Sequence, residues 1–129
     1  MFCAGVHIGV HRSGFSTIFI QPFSTGVLTT LAGSSSGSTD AAGTSASFNH
    51  PRGITTDGTN LYVADYSNNR IRKIVISTGV VTTLAGSTNG TTDHTTGTSA
   101  KFFYPRGITT DGTNLYVSDT GNHRIRKIQ

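Results

Sequence analysis

The chain has no tryptophan, no glutamate and one cysteine, and only 12% of its residues are charged. A single thiol, Cys3, excludes an intramolecular disulfide framework and assigns no redox compartment. With every one of its six acids an aspartate, the chain offers little to the long surface helices that glutamate and lysine favour. No long uninterrupted apolar run is present either. The N-terminal "MFCAGVHIGVHRSGFSTIFI" is mildly apolar, but His7, His11 and Arg12 interrupt it and no basic start precedes a clean hydrophobic stretch. It reads neither as a signal peptide nor as a membrane span. What the chain does have is glycine, serine and threonine, the composition of many short strands and turns. An all-β fold is expected.

The 129 residues suffice for one ordinary domain, and the net charge of +4 invites a nucleic-acid reading. Of the ten basic residues, six lie in two "RIRK" runs, so their meaning depends on where those runs sit.

Those runs belong to an internal repeat. "PRGITTDGTNLYVADYSNNRIRKI" at 51–74 returns as "PRGITTDGTNLYVSDTGNHRIRKI" at 105–128. The copies differ only at Ala64/Ser118, Tyr66/Thr120, Ser67/Gly121 and Asn69/His123. "TGVLTTLAGS" at 25–34 likewise returns as "TGVVTTLAGS" at 78–87, so one unit spans about 54 residues. Within a unit four short strands are predicted: 53–57, 60–65, 70–76 and 80–86. "DGTN" between the first two is a tight-turn signal, because Asp, Gly and Asn accept the backbone angles required. Four short antiparallel strands per unit of this length is the pattern of a β-propeller blade. The boundaries read as a degenerate segment at 1–23 followed by a propeller segment at 24–129. That segment holds an outer strand at 25–33, a full blade at 51–86 and a partial blade at 105–129.

The repeat resembles the NHL repeat, a blade unit of six-bladed β-propellers. The resemblance is carried by Pro51, Gly53, Asp57, Tyr62, Val63, Asp65, Asn68, Arg70 and Ile71, and again by Pro105, Gly107, Asp111, Tyr116, Val117, Asp119, Asn122, Arg124 and Ile125. The "TTLAG" strand and "GTSAxF" linker resemble the variant common in bacterial extracytoplasmic proteins, which is what the resemblance implies about localisation. It implies a fold far more specifically than an activity.

Two blades do not close a ring, and repeats bury a continuous core only through their neighbours. An isolated chain is therefore expected to expose the apolar faces that bear Leu61, Val63, Ile71 and Val81. Two arrangements relieve this: the chain is one part of a longer propeller, or three copies close six blades as a homo-oligomer, each 25–33 strand completing a neighbour's last blade.

If the blade runs outward from a central channel, "DYSNN" (65–69), "DTGNH" (119–123) and both Gly/Ser/Thr-rich linkers share one face. In family members of known activity that face often holds the ligand site. The candidate ligand-binding residues are Tyr66, Ser67, Asn69, Asp93, His94, Thr120 and His123. The residues repeated in both units, Asp65, Asn68, Arg70, Asp119, Asn122 and Arg124, are assigned structural roles, with Asp65–Arg70 and Asp119–Arg124 expected as charged pairs flanking each turn. Asp57 and Asp111 are assigned to the opposite-face turns, and Phe48 and Phe102 to the core.

Animal relatives with such propellers bind RNA on a basic face, but alternation along a strand sends the "RIRK" side chains into both blade faces. No basic stripe with interleaved aromatics is apparent, so nucleic acid is disfavoured as a partner. A relative that cleaves amidated peptide precursors holds zinc through propeller histidines. Here His7, His11, His50, His94 and His123 do not recur from blade to blade, and no three assemble a catalytic zinc site. No paired carboxylates, nucleophile motif or phosphate loop is present. Asn89-Gly90-Thr91 is formally a glycosylation acceptor, and the linker oxygens around it a conceivable calcium site, yet neither zinc nor calcium is supported. The sequence thus favours a non-catalytic binding or interaction scaffold for a protein or small polar ligand. A metal-dependent lyase or hydrolase propeller is the alternative.

Overall fold

The computed structural model describes residues 6–9, 17–20 and 25–129, the first two segments as backbone only. These two are strands β1 (Val6–Gly9) and β2 (Thr17–Ile20), paired antiparallel with Val6 opposite Ile20. The first blade is one sheet of β3 (Pro51–Thr56), β4 (Asn60–Asp65), β5 (Arg70–Val75) and β6 (Val81–Gly86) in chain order. The second comprises β7 (Pro105–Thr110), β8 (Leu115–Asp119) and β9 (Arg124–Ile128). All pairings are antiparallel.

The turns explain why the strands break where they do. Asp57 Oδ1 accepts the backbone N–H groups of Thr59 (2.9 Å) and Asn60 (2.7 Å), while Oδ2 accepts the Tyr62 hydroxyl at 2.8 Å. Gly58 sits between them at φ +92°, a backbone conformation that costs glycine nothing. Asp111, Gly112 and Tyr116 repeat the construction. At the opposite end, each second-to-third-strand connection is one 3-10 turn, Tyr66–Asn68 or Thr120–Asn122, closed by Asn69 or His123 in the left-handed region.

Alternation along the strands distributes apolar side chains to both faces of the first blade. Ile71, Ala64 and Ala85 face the second blade, where Phe102 and Val117 complete a buried cluster. Val63, Ile74 and Val81 face the other way and are covered by Ala46, with Ala32, Ala41, Phe48 and Leu61 at the margin. Phe102 is fully buried as expected, whereas Phe48 is half-buried at the cluster's edge.

Two expectations are corrected. Val63, Ile71 and Val81 are buried and Leu61 is half-buried, because the linker and second blade cover the faces that the sequence pattern left open. The apolar side chains that do meet solvent include Val27, Leu28, Ile54 and Ile125. Residues 25–33, expected as an outer strand, form no strand. Their counterpart β6 is held by its ladder to β5, with Ile74 opposite Val81. Residues 25–33 have no such strand beside them among the described residues. Instead the Gly33 N–H donates to the Gly43 carbonyl, and an isolated bridge joins Ser36 to Phe48.

Candidate functional site

The inter-blade linkers and the 3-10 turns meet on one face, and a buried charged cluster holds them there. Arg72 is fully buried and engages every N–H of its guanidinium. Nη1 donates to Asp65 Oδ2 (2.7 Å) and the Ser47 carbonyl (2.9 Å); Nη2 donates to Asp40 Oδ1 (2.6 Å) and the Thr39 carbonyl (2.9 Å); Nε also reaches Asp40. Asp65, itself buried, additionally accepts the Asn49 N–H and the Asn68 amide. Asp40 extends the cluster to β6 by accepting the Thr83 N–H and hydroxyl. One guanidinium thus ties the linker, the second and third strands and, through Asp40, the outer strand.

The second unit builds the same cluster. Arg126 donates to Asp119 (2.7 Å), Asp93 (2.5 Å) and the Thr92 and Lys101 carbonyls. The charged partner of Asp65 is therefore Arg72 rather than Arg70, and that of Asp119 is Arg126 rather than Arg124. Arg72 lies on the same face of β5 as Arg70, opposite Val63, and reaches Asp65 diagonally. Asp65 and Arg70 are Cα partners across the ladder, but the Arg70 side chain runs to the linker carbonyl of Ser38, as that of Arg124 does to Thr91. Asn68 and Asn122 also bind linker carbonyls, those of Gly37 and Gly90, so the repeated residues lock turn to linker. Asp93, a candidate for ligand binding, is engaged in this lock.

The remaining candidates divide by location. Tyr66 lies at the seam between blades, stacked on Tyr104 with ring centroids 4.7 Å apart, and Tyr104 stacks in turn on Phe103 at 4.5 Å. Asn69 Oδ1 accepts the Tyr104 N–H at 2.8 Å. Ser67 Oγ lies 3.1 Å from His50 Nδ1. Tyr66, Ser67 and Asn69 therefore share one site, which also includes His50 and Tyr104. His94 accepts the Thr96 N–H within its linker. Thr120 and His123 occupy the equivalent turn of the second blade, whose Gly121 N–H donates to the Phe103 carbonyl at 2.7 Å. His7 and His11 lie outside the residues whose side chains are described. Among the described residues, no three His, Cys, Asp or Glu side chains form a group able to hold a metal ion.

Sequence reasoning missed Arg52 and Arg106. Both are exposed, and both guanidiniums approach the Tyr66 ring, at 4.1 Å and 5.8 Å from its centroid. "PRG" recurs unchanged at 51–53 and 105–107, so nothing in the repeat distinguishes these arginines from its architectural residues. The repeated bulge opposite Asp65 and Val63 is the feature that sets them apart.

Comparison with known proteins agrees with this architecture. The NHL repeat model matches residues 48–74 and 102–128. NHL repeat-containing protein 2 of Homo sapiens is 40% identical over 97 residues, covering 70% of this chain and 13% of its own length. An auxiliary nutrient binding protein from Bacteroides ovatus superimposes with TM-score 0.69 at 27% identity, covering 77% of this chain and 28% of that one. A Bacteroides thetaiotaomicron protein of unknown function gives TM-score 0.64 at 31% identity, over 69% of this chain and 23% of its own. The chain thus spans only a small part of the proteins it matches, and its fold is a partial β-propeller.

Proposed function

We propose, for a chain that belongs to the NHL-repeat family, that it is a non-catalytic binding scaffold whose recognition surface is the seam between blades on the linker face. One observation carries the reading. Three of the charged residues common to both units, Asp65/Asp119, Arg70/Arg124 and Arg72/Arg126, are consumed in locking turn to linker, whereas three of the four differences between 51–74 and 105–128 lie in the two turns of this face. At the seam those differences place Tyr66, Ser67 and Asn69 beside Tyr104 and His50. Rigid aromatic rings with adaptable amide and hydroxyl groups suit recognition at low entropic cost. The binding role borne by the name of the Bacteroides ovatus protein is in keeping with this.

The test is an amide NMR titration of the chain with a panel of small polar compounds, neutral and charged, with each compound's integrity followed in the same samples. Saturable shifts confined to residues 66–69, 104 and 119–123 are expected, with every compound recovered intact. Shifts centred on the Asp57 and Asp111 turns would overturn the assignment of the face. Consumption of a compound would overturn the non-catalytic reading.

A further inference from the structure

We propose that the bulged starts of β3 and β7 form an oxyanion-binding groove in which Arg52 and Arg106 hold a carboxylate or phosphate group beside the Tyr66 ring. This rests on the linker-face reading above and names its ligand chemistry.

The groove follows from the backbone. In each blade the inner strand slips against its partner: Pro51 pairs with Asp65 but Ile54 with Val63, leaving Arg52 and Gly53 in a bulge. Arg106 and Gly107 occupy the same bulge between Pro105–Asp119 and Ile108–Val117. Bulges re-aim side chains near strand ends, and here both place an arginine at the linker end of the innermost strand. The two strands then approach closely. A Cβ on Gly53 would lie 2.6 Å from the Arg106 carbonyl oxygen, so only glycine permits this contact. Ser118, the one difference between 51–74 and 105–128 that lies outside the turns, accepts the Gly107 N–H at 2.7 Å and lines the groove together with both arginines and both glycines.

Charge supplies the second strand of reasoning. The four aspartates 40, 65, 93 and 119 are bound to Arg72 or Arg126, and Asp57 and Asp111 are filled by their turns. No carboxylate side chain is left for Arg52 or Arg106 among the described residues. Yet both guanidiniums converge on one ring, which places them within about 10 Å of each other. Two guanidiniums beside one ring, with no internal counter-charge, match an oxyanion, the group that arginine's planar fork binds best. The Tyr66 ring fixes their approach by cation–π contact. Thr120, its counterpart in the second unit, has no ring to offer.

The experiment is an NMR titration of the whole chain at low salt with inorganic phosphate and, separately, succinate, following the arginine Nε–H and the Gly53 and Gly107 amide signals. Saturable shifts at these groups are expected, and the anion that binds tighter identifies the ligand's acid group. Arg52→Ala and Arg106→Ala should each weaken binding about tenfold, the loss of one charge-assisted contact. Arg70→Ala, which removes equal charge elsewhere, should leave affinity unchanged. Neither groove arginine makes a side-chain hydrogen bond to described residues, so both variants should retain the wild-type far-UV spectrum. Absence of saturable shifts with both anions would overturn the groove, as would equal losses in Arg52→Ala and Arg70→Ala, which mean diffuse attraction. Neutral compounds that still shift residues 66–69 would in that event leave the linker-face reading standing.

Discussion

Replacing Arg72 by alanine should come close to unfolding the chain, whereas replacing Arg70 should hardly matter. Arg72 is wholly buried and donates to two aspartates and two backbone carbonyls. Its removal leaves Asp65 buried, with only the Asn49 N–H and the Asn68 amide as remaining donors, and exposes two linker carbonyls to an unfilled space. Breaking a buried ion pair by deleting one partner typically costs about 3–5 kcal/mol. Domains of this kind are stable by roughly 5–15 kcal/mol, so the loss is a large fraction of the total. At about 4 °C per kcal/mol for this size, the midpoint of thermal unfolding should fall by roughly 12–20 °C. Arg70 has one side-chain bond, 3.3 Å to the Ser38 carbonyl, and a buried Nε–H with no partner, so its loss also removes an unmet donor and should stay within about 1 kcal/mol. Urea denaturation followed by circular dichroism measures both. Arg126→Ala should fall between them, because its cluster retains slight access to solvent and Asp93 is largely exposed. Comparable losses from Arg70→Ala and Arg72→Ala would refute the pairing described here and restore the Asp65–Arg70 contact that the sequence suggests.

Two further outcomes are expected. Gly53→Ala should destabilise by about 1–3 kcal/mol, because the new methyl meets backbone that has no rotamer to yield; an unchanged unfolding midpoint would show that the inner strands are not in contact. Asp57 and Asp111 should titrate well below the ordinary carboxylate range, held there first by the Asn60 or Asn114 N–H, then by the Thr59 or Thr113 N–H and the tyrosine hydroxyl. A lowered pKa contributes stability that is fully present above the unfolded value, about 3.9, and is lost as pH falls toward the folded one. The two carboxyl 13C signals should therefore remain those of ionised groups at pH 3, and titration near 4 would contradict the turn geometry.

The blade formula was legible because its signals are local. Asp-Gly-x-Asn announces a turn within four residues, and the β-branched run from Arg70 to Val75 announces a strand. The Asp65–Arg72 lock was not legible, since alternation puts Arg70 and Arg72 on the same face and the choice between them rests on a linker more than thirty residues earlier. Sequence proximity and ladder pairing both favour Arg70, but Arg72, two residues on along the same face, reaches Asp65 diagonally and has the linker oxygens around it. The candidate site divided along the same line. Tyr66, Ser67 and Asn69 stood out as departures from the repeat, whereas Arg52 and Arg106 act only as a pair brought together by two bulges. A comparison of copies has no means of marking residues that matter because they are alike.

The lock also has a consequence for how such blades are transplanted or duplicated. Arg72 draws on Thr39, Asp40 and Ser47, all of which precede the sheet it belongs to. The unit of inheritance is therefore staggered against the unit of hydrogen bonding. A gene segment cut at Pro51, where the sheet begins, would carry the arginine away from three of its four partners and leave it only Asp65. One cut near Ser35, in the linker, would travel with the whole lock to Gly86. Chimeras joined at the second position should accept foreign blades that the first position rejects.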